Sequence, residues 1–120
     1  MADTRRICLA LDLKNDATLI AEYESYHEPQ NAWPEITHSI QDAGVEEMQI
    51  YRIENRLFMI MEVNETFDPE AKVAADAANP KVQEWEELMW QFQQPLASAG
   101  PGEKWLAMKR IYQLGAAPSD

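Results

Sequence analysis

Two strand-like stretches of this chain are separated by only two residues, and that spacing decides much of its topology. Val45 to Ile53 and Arg56 to Val63 are rich in Ile, Val, Met, Tyr and Phe, with Glu54-Asn55 between them. So short a link joins antiparallel neighbours and nothing else, so the pair is expected to form a hairpin. Upstream, the large apolar residues Ile7, Leu9, Leu11 and Leu13 alternate, as one face of a half-buried strand requires. Helix punctuation surrounds these strands. Asn15-Asp16 can cap a helix of roughly 17–27. Trp33-Pro34-Glu35 opens a second, which Gly44 ends. Asp68-Pro69-Glu70 starts a short helix, and Asn79-Pro80 caps a longer one of about 80–94. Gly100-Pro101-Gly102 reads as a loop, and Trp105 to Leu114 as a closing strand. Residues 1–5 and 115–120 are polar or small and are expected to fray.

The element order is therefore β-α-α-β-β-α-α-β. Taking each helix pair as one interrupted layer reduces it to βαββαβ, the split βαβ pattern of an α+β, ferredoxin-like sandwich. At 120 residues and 46% hydrophobic content the chain suffices for a single domain, with an ordered core over about 6–114. Helices on one face of a four-stranded sheet leave the other open. That face carries Cys8 and Ala10, with either Phe58 and Ile60 or Met59 and Met61. An exposed apolar sheet face calls for a cover, and a two-fold copy of the same chain is the commonest one.

Charge narrows the function. A net charge of −11 disfavours nucleic acid and anionic lipid, both of which need clustered positive charge. The single Cys8 allows no internal disulfide, and no Cys/His cluster has metal-binding spacing. There is no membrane-length apolar run and no secretory signal pattern, so a soluble cytoplasmic protein is expected. No glycine-rich phosphate loop or Ser/His/Asp arrangement stands out. What remains is proton-transfer chemistry on a small neutral molecule, without metal or cofactor, or no chemistry.

The two histidines separate on helical wheels. With Ile20 at about 0°, Leu19, Tyr23, Tyr26 and His27 fall between roughly 240° and 340°. His27 thus shares the apolar face with Tyr23, its i−4 neighbour, and a small rotation of the helix exchanges Tyr23 with Tyr26. His38 falls on the far side of the second helix and reads as surface. The plain reading of His27 is a core or helix-end histidine satisfied by a carbonyl. The functional one is an imidazole in a semi-enclosed cavity, oriented by Tyr23 and able to exchange a proton with a bound hydroxyl. On the 80–94 helix, Glu86 lies close to the arc of Val82, Trp85, Leu88, Met89 and Phe92. An acid there must be paired, hydrogen-bonded or raised in pKa. The plain reading is a salt bridge to Arg52, Arg56 or Lys109; the functional one is a substrate ligand or acid/base group. Trp85 is either core or an apolar floor for a sugar ring. Trp105 and Tyr112 either reach the site from the last strand or merely pack there.

These residues in this order resemble the L-rhamnose mutarotase family of dimeric α/β-barrel proteins. The matching pieces are Tyr23-x3-His27, Trp33-Pro34-Glu35-Ile36, Ile50-Tyr51-Arg52, Arg56 to Glu62 and Asn79 to Trp85. They span about residues 6–114. The run Glu84 to Trp90 and the segment Pro101 to Trp105 look closest to the family's L-fucose branch. The resemblance implies a histidine proton donor at His27, a sugar-contacting tyrosine at Tyr23, and sugar contacts at Trp85, Glu86 and Met48. Met48 and Glu86 stand where the rhamnose enzymes carry aromatic residues, which implies a pocket for a different hydroxyl pattern. The stretch between His27 and Trp33 is also two residues longer here. The implied activity is anomer interconversion of a 6-deoxy-L-hexose, L-fucose before L-rhamnose, by a homodimer. Two other readings fit the residues: a dimeric barrel that binds or oxidises an aromatic molecule, and a non-catalytic dimerisation or sensor module.

Overall fold

The computed structural model describes residues 4–115. Its strands are β1 (Thr4–Leu13), β2 (Val45–Ile53), β3 (Arg56–Asn64), β4 (Gln93–Gln94) and β5 (Leu106–Ala107). Its helices are α1 (Ala17–Tyr26), α2 (Pro34–Asp42), α3 (Pro69–Ala78) and α4 (Pro80–Trp90), with a 3-10 turn at Pro29–Asn31. The sheet runs β2-β3-β1-β4, with β5 also paired to β1, and every pairing is antiparallel. Merging the helix pairs leaves βαββαβ with β1 and β3 central, which is the ferredoxin-like topology the sequence predicts.

The register shows which residues share a face. Ile7, Leu9 and Leu11 lie opposite Met61, Met59 and Leu57, and Met48 and Ile50 opposite Met61 and Met59. This face meets the helices. One core cluster joins Leu13 and Leu57 to Tyr23, Met89 and Phe92. A second gathers Val45, Met59, Met61, Val63 and Phe67, with Ile40 and Ala43 from the α2 end. Ile50 and Trp105 pack against both. The other face carries Cys8, Ala10, Phe58 and Ile60, all half-buried. The register thus selects Phe58 and Ile60 over Met59 and Met61 for the open side.

Three expectations need correction. The helix expected over 80–94 stops at Trp90. The amides of Gln91 and Phe92 turn back to the Leu88 and Met89 carbonyls, Phe92 anchors in the core, and Gln93–Gln94 pair with Leu13 and Asp12. Pro95 holds Gln94 extended, which favours strand there. The closing strand expected over 105–114 shrinks to Leu106–Ala107, followed by one more bond from the Met108 amide to the Cys8 carbonyl. Beyond it, Ile111, Tyr112 and Leu114 are exposed and have no inner face to fill. Strand β1 begins at Thr4, so Thr4 and Arg5 are paired rather than frayed. Residues 1–3 and 116–120 lie outside the described residues.

Candidate active site

Helix α1 delivers two of the candidate residues. Asp16 starts it, its carboxylate accepting from the Thr18 and Leu19 amides at 2.9 and 3.0 Å. Two turns later Tyr23 points into the core, only 3% exposed, against Phe92. His27 caps the C-terminal end. One turn apart, the Tyr23 and His27 rings lie 4.4 Å apart.

His27 Nδ1 is 2.7 Å from the Tyr23 carbonyl. A carbonyl can only accept, so Nδ1 carries the hydrogen and Nε2 is left free to take a proton. The plain expectation, a helix-end histidine satisfied by a carbonyl, is therefore met at one nitrogen only. The Trp85 ring stands edge-on 5.7 Å from the imidazole, and Trp33 packs on Trp85 at 5.0 Å. His27 is thus walled by aromatic rings on its inner side and exposed on its outer side in the single chain. Desolvation on the inner side pushes its pKa below the ordinary 6.5, outweighing the opposing effect of the Tyr23 carbonyl. Burial pushes the Tyr23 phenol up to about 12, Glu86 adds to the rise, and a hydrogen bond with the Gln93 side chain opposes it. At neutral pH the phenol is therefore a hydrogen-bond donor and not a base.

Glu86 is paired, as an acid on this helix face must be, but with a different cation. Lys104 Nζ lies 3.1 Å from Glu86 Oε2 and donates to the Glu86 carbonyl at 3.1 Å. It also sits 4.7 Å above the Trp90 ring. Of the expected partners, Arg52 pairs with Glu24 and Arg56 with Asp12. Burial lowers the Lys104 pKa, against the raising effect of Glu86.

Tyr23, His27, Trp85 and Glu86 are thus brought to one end of α1 and the adjoining face of α4. Met48 is not: it packs against the second cluster, on β2. Tyr26 turns to Trp85 and Phe92, and with Trp33, Glu22 and Asn31 lines a broad hollow of about 870 Å³ on the outer flank of α1. His27 does not line that hollow. Tyr112 is 74% exposed, whereas Trp105 is half-buried and packed against both core clusters. His38 is on the surface, as expected. Among the described residues no three His, Cys, Asp or Glu side chains converge as a metal site needs.

Sequence reasoning missed two neighbours of the site, Lys104 and Gln93. Lys104 arrives on a loop, where no periodicity marks it. Gln93 was hidden by reading α4 four residues too long, although Pro95 signals an extended residue before it.

A sequence profile described as L-rhamnose mutarotase matches residues 6–114. An L-fucose mutarotase of Xanthomonas campestris pv. campestris is 50% identical over 115 residues, covering 96% of this chain and 92% of that protein. Among solved structures, an L-rhamnose mutarotase from Formosa agariphila superposes with a TM-score of 0.66 at 21% identity, covering 92% of this chain and 99% of that one. The tetracenomycin F2 cyclase of Streptomyces glaucescens gives 0.60 at 18% identity, covering 95% and 99%. At those identities the two structures speak to the shared fold alone.

Proposed function

Because this chain belongs to the L-rhamnose mutarotase family, we propose that it interconverts the α and β anomers of a 6-deoxy-L-hexose, with L-fucose as substrate ahead of L-rhamnose. The 50% identity to an L-fucose mutarotase supports that order. The observation that carries the mechanism is the fixed tautomer of His27, with Nδ1 held by the Tyr23 carbonyl and Nε2 free.

Ring opening removes the proton from the anomeric O1, forms the C1=O1 double bond and breaks the bond from C1 to the ring oxygen, which gains a proton. In this reading His27 Nε2 takes the O1 proton and returns it to the ring oxygen. Rotation about C1–C2 and the reverse sequence then close the other anomer, with no net gain or loss of protons. A base with pKa near or below neutrality serves in both directions. Tyr23 holds His27 through its carbonyl, Trp85 offers an apolar floor to the ring, and Glu86, held by Lys104, accepts from a hydroxyl. Met48, expected as a sugar contact, packs against the second cluster and is assigned none in this reading.

The same reading makes the enzyme a cytoplasmic homodimer. Cys8 is a free thiol, and the open sheet face is the surface a second copy would cover. The test is anomer exchange of L-fucose by saturation-transfer NMR, with wild type and His27→Ala compared. A loss of about 10²–10⁴-fold in the catalysed exchange is expected. Equal exchange in both proteins would remove His27 from the mechanism.

A further inference from the structure

We propose that Lys104 is a positioning residue that sets the choice of sugar: it clamps Glu86 in one rotamer, so that a fixed carboxylate oxygen reads the ring hydroxyls and favours L-fucose over L-rhamnose. The inference rests on the mutarotase reading and deepens it, by giving the preference between the two sugars a structural cause. Glu86 and Trp90 are i,i+4 neighbours on α4, and the Lys104 side chain reaches both. An ammonium has three hydrogens to place. Nζ lies 3.1 Å from Glu86 Oε2, 3.1 Å from the Glu86 carbonyl oxygen and 4.7 Å from the centre of the Trp90 ring. The group is thus engaged on every side within the chain, and the Lys104 side chain is only 9% exposed. It has no face left for a sugar and acts through Glu86.

The pair is lopsided. The Glu86 side chain is 45% exposed, so the cation is sealed in while the anion faces out, with Oε2 held and Oε1 outside the pair. Packing alone does not call for this. A methionine would lie on the Trp90 ring with no charge to desolvate. A pair with one half-exposed member also adds little to stability. What the ammonium supplies, and a methionine does not, is a direction for the carboxylate. The backbone behind it is fixed as well. Trp105 packs against both core clusters, and Glu103 closes the preceding turn by accepting from the Gly100 amide at 2.6 Å and donating to the Gly100 carbonyl at 3.1 Å. Glu86 follows Trp85, whose ring stands 5.7 Å from His27, so the clamped carboxylate belongs to the helix that walls the proton-transfer site. L-Fucose and L-rhamnose have the same ring, methyl group and number of hydroxyls, and differ in configuration at C2 and C4. Size and polarity do not separate them; the direction of a hydroxyl does. A carboxylate free to change rotamer would follow the hydroxyl of either sugar. One held at Oε2 accepts well from a single configuration and leaves the other mispaired, which is what makes such discrimination steep.

The experiment measures kcat and KM for anomer exchange of L-fucose and of L-rhamnose by saturation-transfer NMR. The proteins are wild type, Lys104→Met, Lys104→Arg, Glu86→Ala and the Lys104→Met, Glu86→Ala double variant. Lys104→Met is expected to raise KM for L-fucose about tenfold, the value of one charge-assisted hydrogen bond. Its kcat should stay within about twofold, because a hydroxyl that does not react is bound alike before and during ring opening. KM for L-rhamnose should change by less than about threefold, so the preference falls. Lys104→Arg keeps a cation over Trp90 and should restore part of that preference. In the Glu86→Ala background Lys104→Met should have no further effect. Unchanged preference in Lys104→Met, an equal rise in KM for both sugars, or the same proportional loss with and without the Glu86 carboxylate would overturn the proposal. A large fall in the Tm of Lys104→Met would make the ammonium a prop of the fold and overturn it too. Each of these results leaves His27 standing, whereas full activity of His27→Ala would sink the mutarotase site itself.

Discussion

A single 2.7 Å contact, His27 Nδ1 to the Tyr23 carbonyl, decides which nitrogen can trade a proton. Desolvation then decides when, because it pushes the imidazole below its ordinary 6.5. The base form is fully populated above that value and is lost as pH falls through the lowered pKa. Catalysed exchange should therefore be flat from neutral to mildly alkaline pH. It should fall about tenfold per pH unit on the acid side, with a midpoint under 6.5. Tyr23, at about 12, adds no alkaline limb in that range. Folding stability has the same sign, since the unfolded chain binds this proton more readily: it is complete above 6.5 and declines as pH falls. The exposure of the ring keeps that contribution small. A pH–rate profile by saturation transfer checks the assignment, and a midpoint above 6.5 would mean that a nearby negative charge, and not burial, governs the ring. At this scale the sequence was readable where the chemistry is local. Tyr23 and His27 are i,i+4 neighbours on one helix, so their meeting follows from helical period. The partner of Glu86 is 18 residues further along, beyond two glycines and two prolines, and helical period carries no information across such a loop.

The elements show the same division. Strands β1, β2 and β3 were readable because alternation and a two-residue turn fix register as well as type. Helix starts were readable from Asp16, Asp68 and Asn79, whose side chains accept from the first-turn amides. Helix ends and short edge strands were less so: Pro95 marks Gln94 as extended, but the stop of α4 at Trp90 and the two-residue extent of β5 follow from pairing with β1, which local sequence does not show. Gly44 is the turn on which the α2-β2 junction depends. Its φ is +102°, and a Cβ there would come within 2.6 Å of Asn64 Oδ1, 2.9 Å of Thr66 Oγ1 and 3.1 Å of the Phe67 amide. The Asn64 amide meanwhile bonds the Gly44 carbonyl at 2.8 Å, which ties the turn to the end of β3. Gly44→Ala adds left-handed strain to this crowding. It should destabilise by about 2 kcal/mol, which lowers Tm by roughly 8 °C. Thermal unfolding followed by circular dichroism measures it. An unchanged Tm would show that the Asn64 and Thr66 side chains simply move aside and that the turn tolerates a β-carbon.

At the scale of the whole molecule, the open sheet face has the layout of an interface. Across β3 and β1 its rows read Glu62–Arg6, Ile60–Cys8, Phe58–Ala10 and Arg56–Asp12. The two apolar rows are thus bracketed by ion pairs of 2.9 and 2.7 Å, an apolar centre with a charged rim. Tyr51, 53% exposed, extends the Phe58 row on β2, and Met108, 49% exposed, continues past β5 beside Cys8. The Arg6–Glu62 and Arg56–Asp12 pairs cancel on this face while the chain as a whole carries −11, so two copies meeting here repel less than their net charge implies. A two-fold pairing places the apolar rows against one another and removes them from water. Light scattering on the purified protein should then give about twice the 13.8 kDa chain mass. Raising salt from low ionic strength should tighten the association, because screening weakens the repulsion between two acidic bodies. Ile60→Lys sets a charge in the apolar centre while the residue stays only half-buried within its own chain. It should yield a folded monomer, with the far-ultraviolet circular dichroism of the parent. A variant that kept the doubled mass would place the contact between copies on some other surface.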